Sequence, residues 1–471
     1  GQRLESVAKL WELQKLDYPI VERTQALGRG EITLQELMED QSFVEYAIND
    51  AKVCQQIYTR QREYFLQHDV DIIQSFTPAQ TSAWMFRKRL MHTIGQYDTG
   101  VRMMALKCCW GGRTECMYRG EVDYAFEYDA SGHHPNSAIA LELMPEQKDW
   151  VKTTNVRNWL SGISGIGKVY FKFSLGEEHP CLPVMHGDLL VFPLEGISYC
   201  SVSEANLARS LGAKLILMEG YFYKTGTPVL AEYLQFLQNL RAKSQDESHR
   251  QLWKLLSNAI IGKFFQKSSV VDLGKVQAYA SEHSIPLDVA YQLKGKDFGE
   301  GKVSTGSCFY PEWYALILGY ARANISRLGR KCDALVISSD SVVTTMDMGE
   351  SFVLDGIQFN LKSTGSYVGY RSRFYRIGDK IAHHAVHNRE AAGRVLSFFH
   401  TEESFGYVHQ RILHLKESWA VKMPFGANVE RSMTTDLRFD NKRRLLESGR
   451  TVPWQQANES GGQDGRLIYE A

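Results

Sequence analysis

Ala334-Leu-Val-Ile-Ser-Ser-Asp-Ser-Val-Val-Thr-Thr345 sets two β-branched runs, Val336-Ile337 and Val342-Val343, on either side of a polar knot, Ser338 to Ser341. Strand rules read this as a hairpin with its polar residues at the turn. Such a hairpin holds one carboxylate, Asp340, forward on a rigid support. Alone, an aspartate at a turn is most often only a turn former. A second stretch changes that reading. In Phe126-Glu-Tyr-Asp-Ala-Ser-Gly-His-His-Pro-Asn-Ser137, a strand-like run from Val122 to Tyr128 ends at Asp129 and passes into Ser, Gly and Pro. Two strand ends, each delivering one aspartate, can hold a pair of divalent ions against a triphosphate.

The 471 residues, 44% apolar and 23% charged, describe an ordinary globular composition with room for a large core and more than one domain. No apolar run approaches the roughly 18 residues of a membrane span. The chain opens Gly-Gln-Arg-Leu, without methionine or signal peptide, which reads as a processed or truncated start. Cysteines 54, 108, 109, 116, 181, 200, 308 and 332 show no CxxC spacing. Free thiols in a reducing compartment are expected, and a zinc site is not.

Net charge is zero, so a protein basic all over is excluded, but local clusters remain. Arg241, Lys243, Arg250, Lys254, Lys263 and Lys267 form one, Lys362, Arg371, Arg373, Arg376 and Lys380 a second, and Lys442, Arg443 and Arg444 a third. Each alone is most simply a solvated face. Interleaved with Tyr and Phe around a carboxylate pair, the three together fit contacts to a phosphate backbone.

The first 66 residues read as helices. Leu4 to Leu16 has helical spacing, Thr33 and Glu36 form a capping-box pattern, and Phe43 to Tyr58 is amphipathic. That last helix sets Tyr46 and Asp50 four apart on one face. Residues 67 to 109 read as a connector, helical from Thr81 to Ile94. Trp110-Gly-Gly-Arg-Thr-Glu115 is a turn whose backbone can be approached closely. From Lys168 to Tyr223 strands and turns take over: Lys168–Phe173, Leu189–Pro193 and Lys214–Met218 as strands, Val202–Leu211 as a helix. Helices return at Val229–Leu240 and His249–Lys267. On the second, Lys254, Asn258 and Ile261 share a face, and Gly262 leaves the backbone open. A lysine there can hold triphosphate oxygens. Residues 268–305, with Gly274, Gly295, Gly299 and Gly301, read as an inserted excursion, and Trp313–Leu328 as an apolar helix leading into the hairpin. The class is α+β.

The ordered set Tyr128-Asp-Ala-Ser-Gly-His-His-Pro135, Lys254-Leu-Leu-Ser-Asn-Ala-Ile-Ile-Gly262 and Ser338-Ser-Asp-Ser341 resembles motifs A, B and C of family B DNA polymerases. Arg373-Phe-Tyr375 is similar to the family's Lys-x-Tyr motif and Cys109-Trp-Gly-Gly112 to its Tyr-x-Gly-Gly linker. Tyr46 and Asp50 resemble the third exonuclease motif. Compact fingers and inserts around motif B resemble the protein-primed branch of small bacteriophages and linear plasmids. The resemblance implies a right hand: residues 1–66 as the C-terminal part of a 3′-5′ exonuclease-like domain, 67–112 as connector, and 113–225 and 306–380 as palm. It makes 226–267 the fingers, 268–305 a second insertion, and 381–471 the thumb and tail. The basic run within Phe425–Arg450 would contact departing duplex, and Gln455–Gly465 would be flexible.

The resemblance also implies roles. Asp129, Asp340 and the Ala130 carbonyl would hold two Mg²⁺ or Mn²⁺ ions, and Lys254 would neutralise the leaving pyrophosphate. Ser131, Gly132, His133, His134, Arg241, Lys243, Asn258, Ile261 and Gly262 would meet the nucleotide. Gly111, Gly112, Ser338, Ser339, Arg373 and Tyr375 would meet primer and template. Primer-template DNA, dNTPs and a terminal-protein primer are the implied partners, with a further chain carrying the missing exonuclease part. The implied location is the host cytoplasm or a particle of a virus or mobile element.

Serine stands where the family usually places the first of two aspartates in motif C, read here as Ser339. His134 and Ile261 replace two tyrosines of the nucleotide pocket, which predicts relaxed discrimination against ribonucleotides. The first two exonuclease motifs have no match ahead of Tyr46, so exonuclease activity is not expected on this chain. Two alternatives stand beside a DNA polymerase: a ribonucleotide-tolerant, primase-like enzyme, and a non-catalytic descendant that binds nucleic acid or a partner.

Overall fold

The structure, a computed structural model, describes residues 4, 8–9, 11–28, 31–68, 72, 77–89, 99–143, 149–283, 290, 299–306, 308–383, 389–399, 402, 404–412 and 428–457. Chain contacts divide it into two units. One gathers Gly1–Lys88, Asn239–Phe309 and Val408–Met433; the other gathers Arg89–Gln238, Tyr310–Tyr407 and Thr434–Ala471.

The second unit is built on an eight-stranded antiparallel sheet. Thr114–Cys116, Val336–Ser338, Ser341–Thr344, Gly120–Ala130, Ile357–Arg371, Phe374–Ile377 and Lys380–His383 lie side by side in that order, and Ser351–Leu354 pairs with Ile357–Arg371. The expected hairpin is therefore present, with Ser338 opposite Ser341. The strand foreseen at Val122–Tyr128 runs from Gly120 to Ala130. Its period of two turns Tyr128 and Ala130 to one face and Ala125, Glu127 and Asp129 to the other. Tyr128 and Ala130 pack with Ile337, Val342 and Phe359 against Ile325 and Leu328 of the helix Pro311–Lys331.

That helix starts with Pro at its first turn, where the missing N–H costs nothing. It is buried on almost every side because a second sheet and the helices Thr99–Cys108 and Val202–Ser210 also pack on it. The second sheet orders Gln456–Ala457, Glu195–Ser201, Ser164–Lys172, Lys214–Tyr223 and Val151–Thr153. Its core holds Trp159, Phe171 and Leu217, and Ala323 of the long helix joins it. Lys214–Met218 thus proves the start of a longer strand, and Leu189–Pro193 narrows to Leu189–Val191 in a small hairpin with Val184–His186.

In the first unit Thr33 and Glu36 form the expected capping box, and Asp40 caps a helix that runs from Gln41 to Leu66. Tyr64 stacks on His249 with ring centres 3.5 Å apart and accepts a hydrogen bond from Trp253 Nε1 at 2.9 Å. This binds the long helix to the helix Glu247–Lys263. Residues 267–305 carry an antiparallel pair, Lys267–Val271 with Gly299–Thr305, and between them a helix Leu273–Glu282.

Three expectations are corrected. The Leu4–Leu16 helix stops early: Glu12 adopts a left-handed φ of 52°, and the Leu13 amide closes back on the Ala8 carbonyl at 2.9 Å. The connector helix begins earlier than expected, at Pro78, and is described as far as Arg89. The third basic cluster does not face solvent as a unit. Arg443 is buried beside Glu115 and bonds Thr451, while Lys442 donates to the Thr114 carbonyl at 2.9 Å. Ile94, Gly295, Phe425 and the tail beyond Ala457 lie outside the described residues.

Candidate active site

Asp129 sits one residue from the end of its strand, and Asp340 sits on the two-residue turn between Val336–Ser338 and Ser341–Thr344. Asp129 and Ser341 are cross-strand neighbours. The Ala130 amide donates to the Asp340 carbonyl at 2.7 Å, which locks the two strand ends together. The turn needs a left-handed residue, and Ser339 takes that conformation at φ 57°. Its amide donates to the Arg113 carbonyl at 2.7 Å.

Gly112 lies under this turn. A Cβ there would stand 2.7 Å from Ser339 Oγ and 2.8 Å from Ser339 Cβ. The close approach foreseen for the Trp110–Glu115 turn is therefore made to the chain's own hairpin. Gly111 is exposed with open space before it. The buried Arg322 fixes this stretch, donating to the Trp110 and Gly111 carbonyls at 2.9 and 3.0 Å while it pairs with Glu204 at 2.8 Å.

The carboxyls are not equivalent. Crowding by protein, and then Asp129 beside it, push the Asp340 carboxyl above its usual range, although its outer edge is exposed. Asp129 accepts from Lys362 Nζ at 2.8 Å. That bond raises the lysine in turn. Two residues back on the same face, Glu127 is fully buried and held by Lys380 and by the Tyr375 hydroxyl at 3.3 Å.

Ser131 donates its amide to the Gln358 carbonyl at 2.8 Å, and Gly132, at φ 59°, turns the chain into the helix His133–Ile139. His133 is turned inward against Phe359, and burial pushes it down to about 4. It is 3% exposed, so the expected meeting with a nucleotide would need its ring to turn outward. His134 is half-buried, and burial lowers it as well. Arg373, left-handed at φ 60° on the next turn, reaches Ser339 Oγ at 3.3 Å. Tyr375, expected to meet the primer, is buried in this structure, with its hydroxyl on Glu127.

Lys254, Asn258 and Gly262 lie exposed along the helix Glu247–Lys263 of the first unit. Ile261 was expected on their face, but it is buried at the face's edge. Arg241 and Lys243 close the helix Val229–Lys243. Tyr46 and Asp50 do share a face, where Lys15 meets them at 3.0 and 3.5 Å.

Residues 29–286 match the family model for DNA polymerase type B, organellar and viral. The chain belongs to that family. Within a 175-residue stretch it is 27% identical to the primer-independent DNA polymerase PolB of Escherichia coli, covering 34% of this chain and 20% of that protein. The chain thus matches about a fifth of that relative's length. Its fold is similar to Phi29 DNA polymerase in complex with primer-template DNA and incoming nucleotides, at TM-score 0.65 and 14% identity, over 93% of this chain and 78% of the other. Phi29 DNA polymerase complexed with single-stranded DNA aligns at TM-score 0.63 with the same identity and coverage. The matched family region contains Asp129 and Lys254 and ends before Asp340.

For a type B polymerase the acidic set is small. Among the described residues no three His, Cys, Asp or Glu come together as a ligand cluster. Asp129 and Asp340 alone still fit Mg²⁺, which is commonly held by one or two carboxylates together with substrate phosphates. Asp340, raised by burial and then by the neighbouring Asp129, is the kind of group a hard cation relieves. Sequence reasoning missed Glu127 as a site residue, and it placed Lys362 and Lys380 only in a basic group. Glu127 was readable from its place two residues before Asp129; the lysines depended on strand register.

Proposed function

We propose that this chain is a template-directed DNA polymerase that adds nucleotides to a 3′-hydroxyl. The observation that carries the reading is the locked pair of strand ends that presents Asp129 and Asp340 together. The domain reading follows the resemblance: palm at 113–225 and 306–380, fingers at 226–267, thumb from 381, and an exonuclease remnant over 1–66. The long antiparallel sheet with a helix behind it supports the palm, since it carries both aspartates. The Tyr46–Asp50 face supports the remnant.

Asp129, Asp340 and the Ala130 carbonyl are the proposed ligands for Mg²⁺ or Mn²⁺, two ions in the full reading. Bound there, divalent ions acidify the attacking hydroxyl and neutralise phosphate charge. The chain's own residues supply the rest. Lys254, with Arg241 and Lys243 assisting, offers ammonium and guanidinium donors to non-bridging phosphate oxygens. Asn258 and Gly262 leave an open face for a base pair. His134, which burial lowers, is the proposed sensor of the sugar. Arg373 reaches forward beside Ser339 to steady the primer strand. Tyr375 acts through Glu127, beneath Asp129. A terminal protein as primer and a second chain supplying exonuclease carboxylates complete the proposed partners.

The test is extension of a labelled primer-template with Mg²⁺ or Mn²⁺, using dNTPs or rNTPs, beside Asp340→Asn. Metal-dependent extension that disappears in the variant supports the reading. Because the bacterial relative is named primer-independent, a template without primer belongs in the same series. Product from that template favours the primase-like alternative. Intact DNA binding with no extension under either metal favours a non-catalytic descendant.

A further inference from the structure

We propose that Lys362 is the site's own cation: it holds Asp129 in the metal-free protein and has to be displaced before a divalent ion takes that carboxylate. The inference rests on the reading of Asp129 and Asp340 as metal ligands and deepens it to how the site is loaded.

The backbone delivers this lysine deliberately. Leu361 lies opposite Tyr128 and Ser363 opposite Glu127, so the register slips by one and Lys362 is the extra residue of a β-bulge. A bulge re-aims a side chain that a regular ladder would direct elsewhere. Here it brings Nζ to 2.8 Å from Asp129 Oδ2.

The charges that face the pair make the lysine consequential. Glu127 adds no free negative charge, because Lys380 already neutralises it. Ser338 and Ser339 bring hydroxyls where further carboxylates would strengthen cation binding, and Arg373 adds a positive group beside Ser339. One of two carboxylates is therefore occupied by a side chain before any ion arrives. Mg²⁺ sheds its waters reluctantly and gains less from a carboxylate that is already paired.

The latch is weak enough to open. The lysine side chain is half-exposed and Asp129 about a third exposed, and the flexible stem lets the ammonium swing away. An ion pair of this exposure is worth at most about a fivefold change in a binding constant. Once released from Asp129, the ammonium is free to meet a polyanionic triphosphate as that ligand has to be bound. Metal and nucleotide then favour each other's binding.

The test is Mn²⁺ binding to the full chain without DNA, read from the free-ion electron spin resonance signal. Wild type is compared with Lys362→Gln, Lys362→Arg and Asp340→Asn. The expected result is about fivefold tighter binding in Lys362→Gln, wild-type affinity in Lys362→Arg, and loss of the site in Asp340→Asn. Lys362→Met is the second neutral variant if the glutamine protein folds poorly, which melting without metal checks. Unchanged or weaker Mn²⁺ binding in the neutral variants, with the site lost in Asp340→Asn, overturns the latch and leaves the ligand assignment standing. Tighter binding in Lys362→Arg as well overturns it too, since the charge is then irrelevant. Mn²⁺ binding that survives Asp340→Asn overturns the ligand assignment and the latch with it.

Discussion

Gly112→Ala probes the support of the aspartate hairpin. The new Cβ would stand 2.7 Å from Ser339 Oγ, 2.8 Å from its Cβ and 3.2 Å from its Cα. Carbon atoms pack best at about 3.5–4.0 Å, so the tip bearing Asp340 has to retreat by roughly 1 Å. Overpacking of this kind costs about 1–3 kcal/mol of stability. A shift of roughly 1 Å in a reacting group costs on the order of 100-fold in rate. That rate loss corresponds to about 2.7 kcal/mol, so activity and folding should suffer by similar amounts. Ser339→Gly removes two of the three colliding atoms, and at φ 57° it also relieves about 1 kcal/mol of backbone strain. In that background most of the Gly112→Ala penalty should vanish. Urea unfolding and single-turnover primer extension on the four proteins of the cycle give both numbers. A penalty of equal size with and without the Ser339 side chain refutes the argument.

Arg322→Met leaves the Glu204 carboxylate buried without its partner, so it should cost about 3–5 kcal/mol in urea unfolding. A loss under about 1 kcal/mol would mean the pair contributes little beyond its packing. His179 is pushed down to about 4, by burial first and then by Arg113 and Arg443, from an unfolded value near 6.5. Its folded value is depressed, so its contribution is present above about pH 6.5 and is lost as pH falls toward 4. Melting temperature should drop across that window, and His179→Gln should flatten the drop; an identical slope would exclude His179 as the cause. Tyr375→Phe removes a hydroxyl that meets Glu127 at 3.3 Å and should cost about 1 kcal/mol of stability with primer affinity unchanged. A tenfold loss of primer affinity would put Tyr375 against the DNA after all.

The hairpin, the strand before Asp129 and most helices were legible because period, capping and turn chemistry are local. Thr33 with Glu36 and the β-branched runs around Ser338–Ser341 needed no distant partner to be read. What stayed hidden was set at long range. His133 and Tyr375 looked available as motif residues, but one is packed against Phe359 and the other over Glu127. Ile261 shares a helical face with Lys254 on paper, yet the unit's core begins at its edge. Lys442 and Arg443 read as a basic run because nothing in their neighbourhood announces Glu115 and Thr114 as partners. Lys362 sat in a list of cations until a one-residue slip in register singled it out. Charge runs show how much charge a chain carries; only register shows what it meets.

The buried Glu115 carries one more consequence, for the chain as it is being made. Arg443 lies against this carboxylate, and the nearby Thr451 hydroxyl donates to the Cys116 carbonyl at 3.0 Å across 335 residues of chain. A ribosome working at about 5–20 residues per second needs roughly 20–70 s to bring the two ends of that contact into existence. For that interval the first strands of the aspartate sheet stand without the arginine and threonine that close over them. The sheet cannot finish folding in the order in which it is written, because the Cys116 carbonyl has to wait for the Thr451 hydroxyl that meets it.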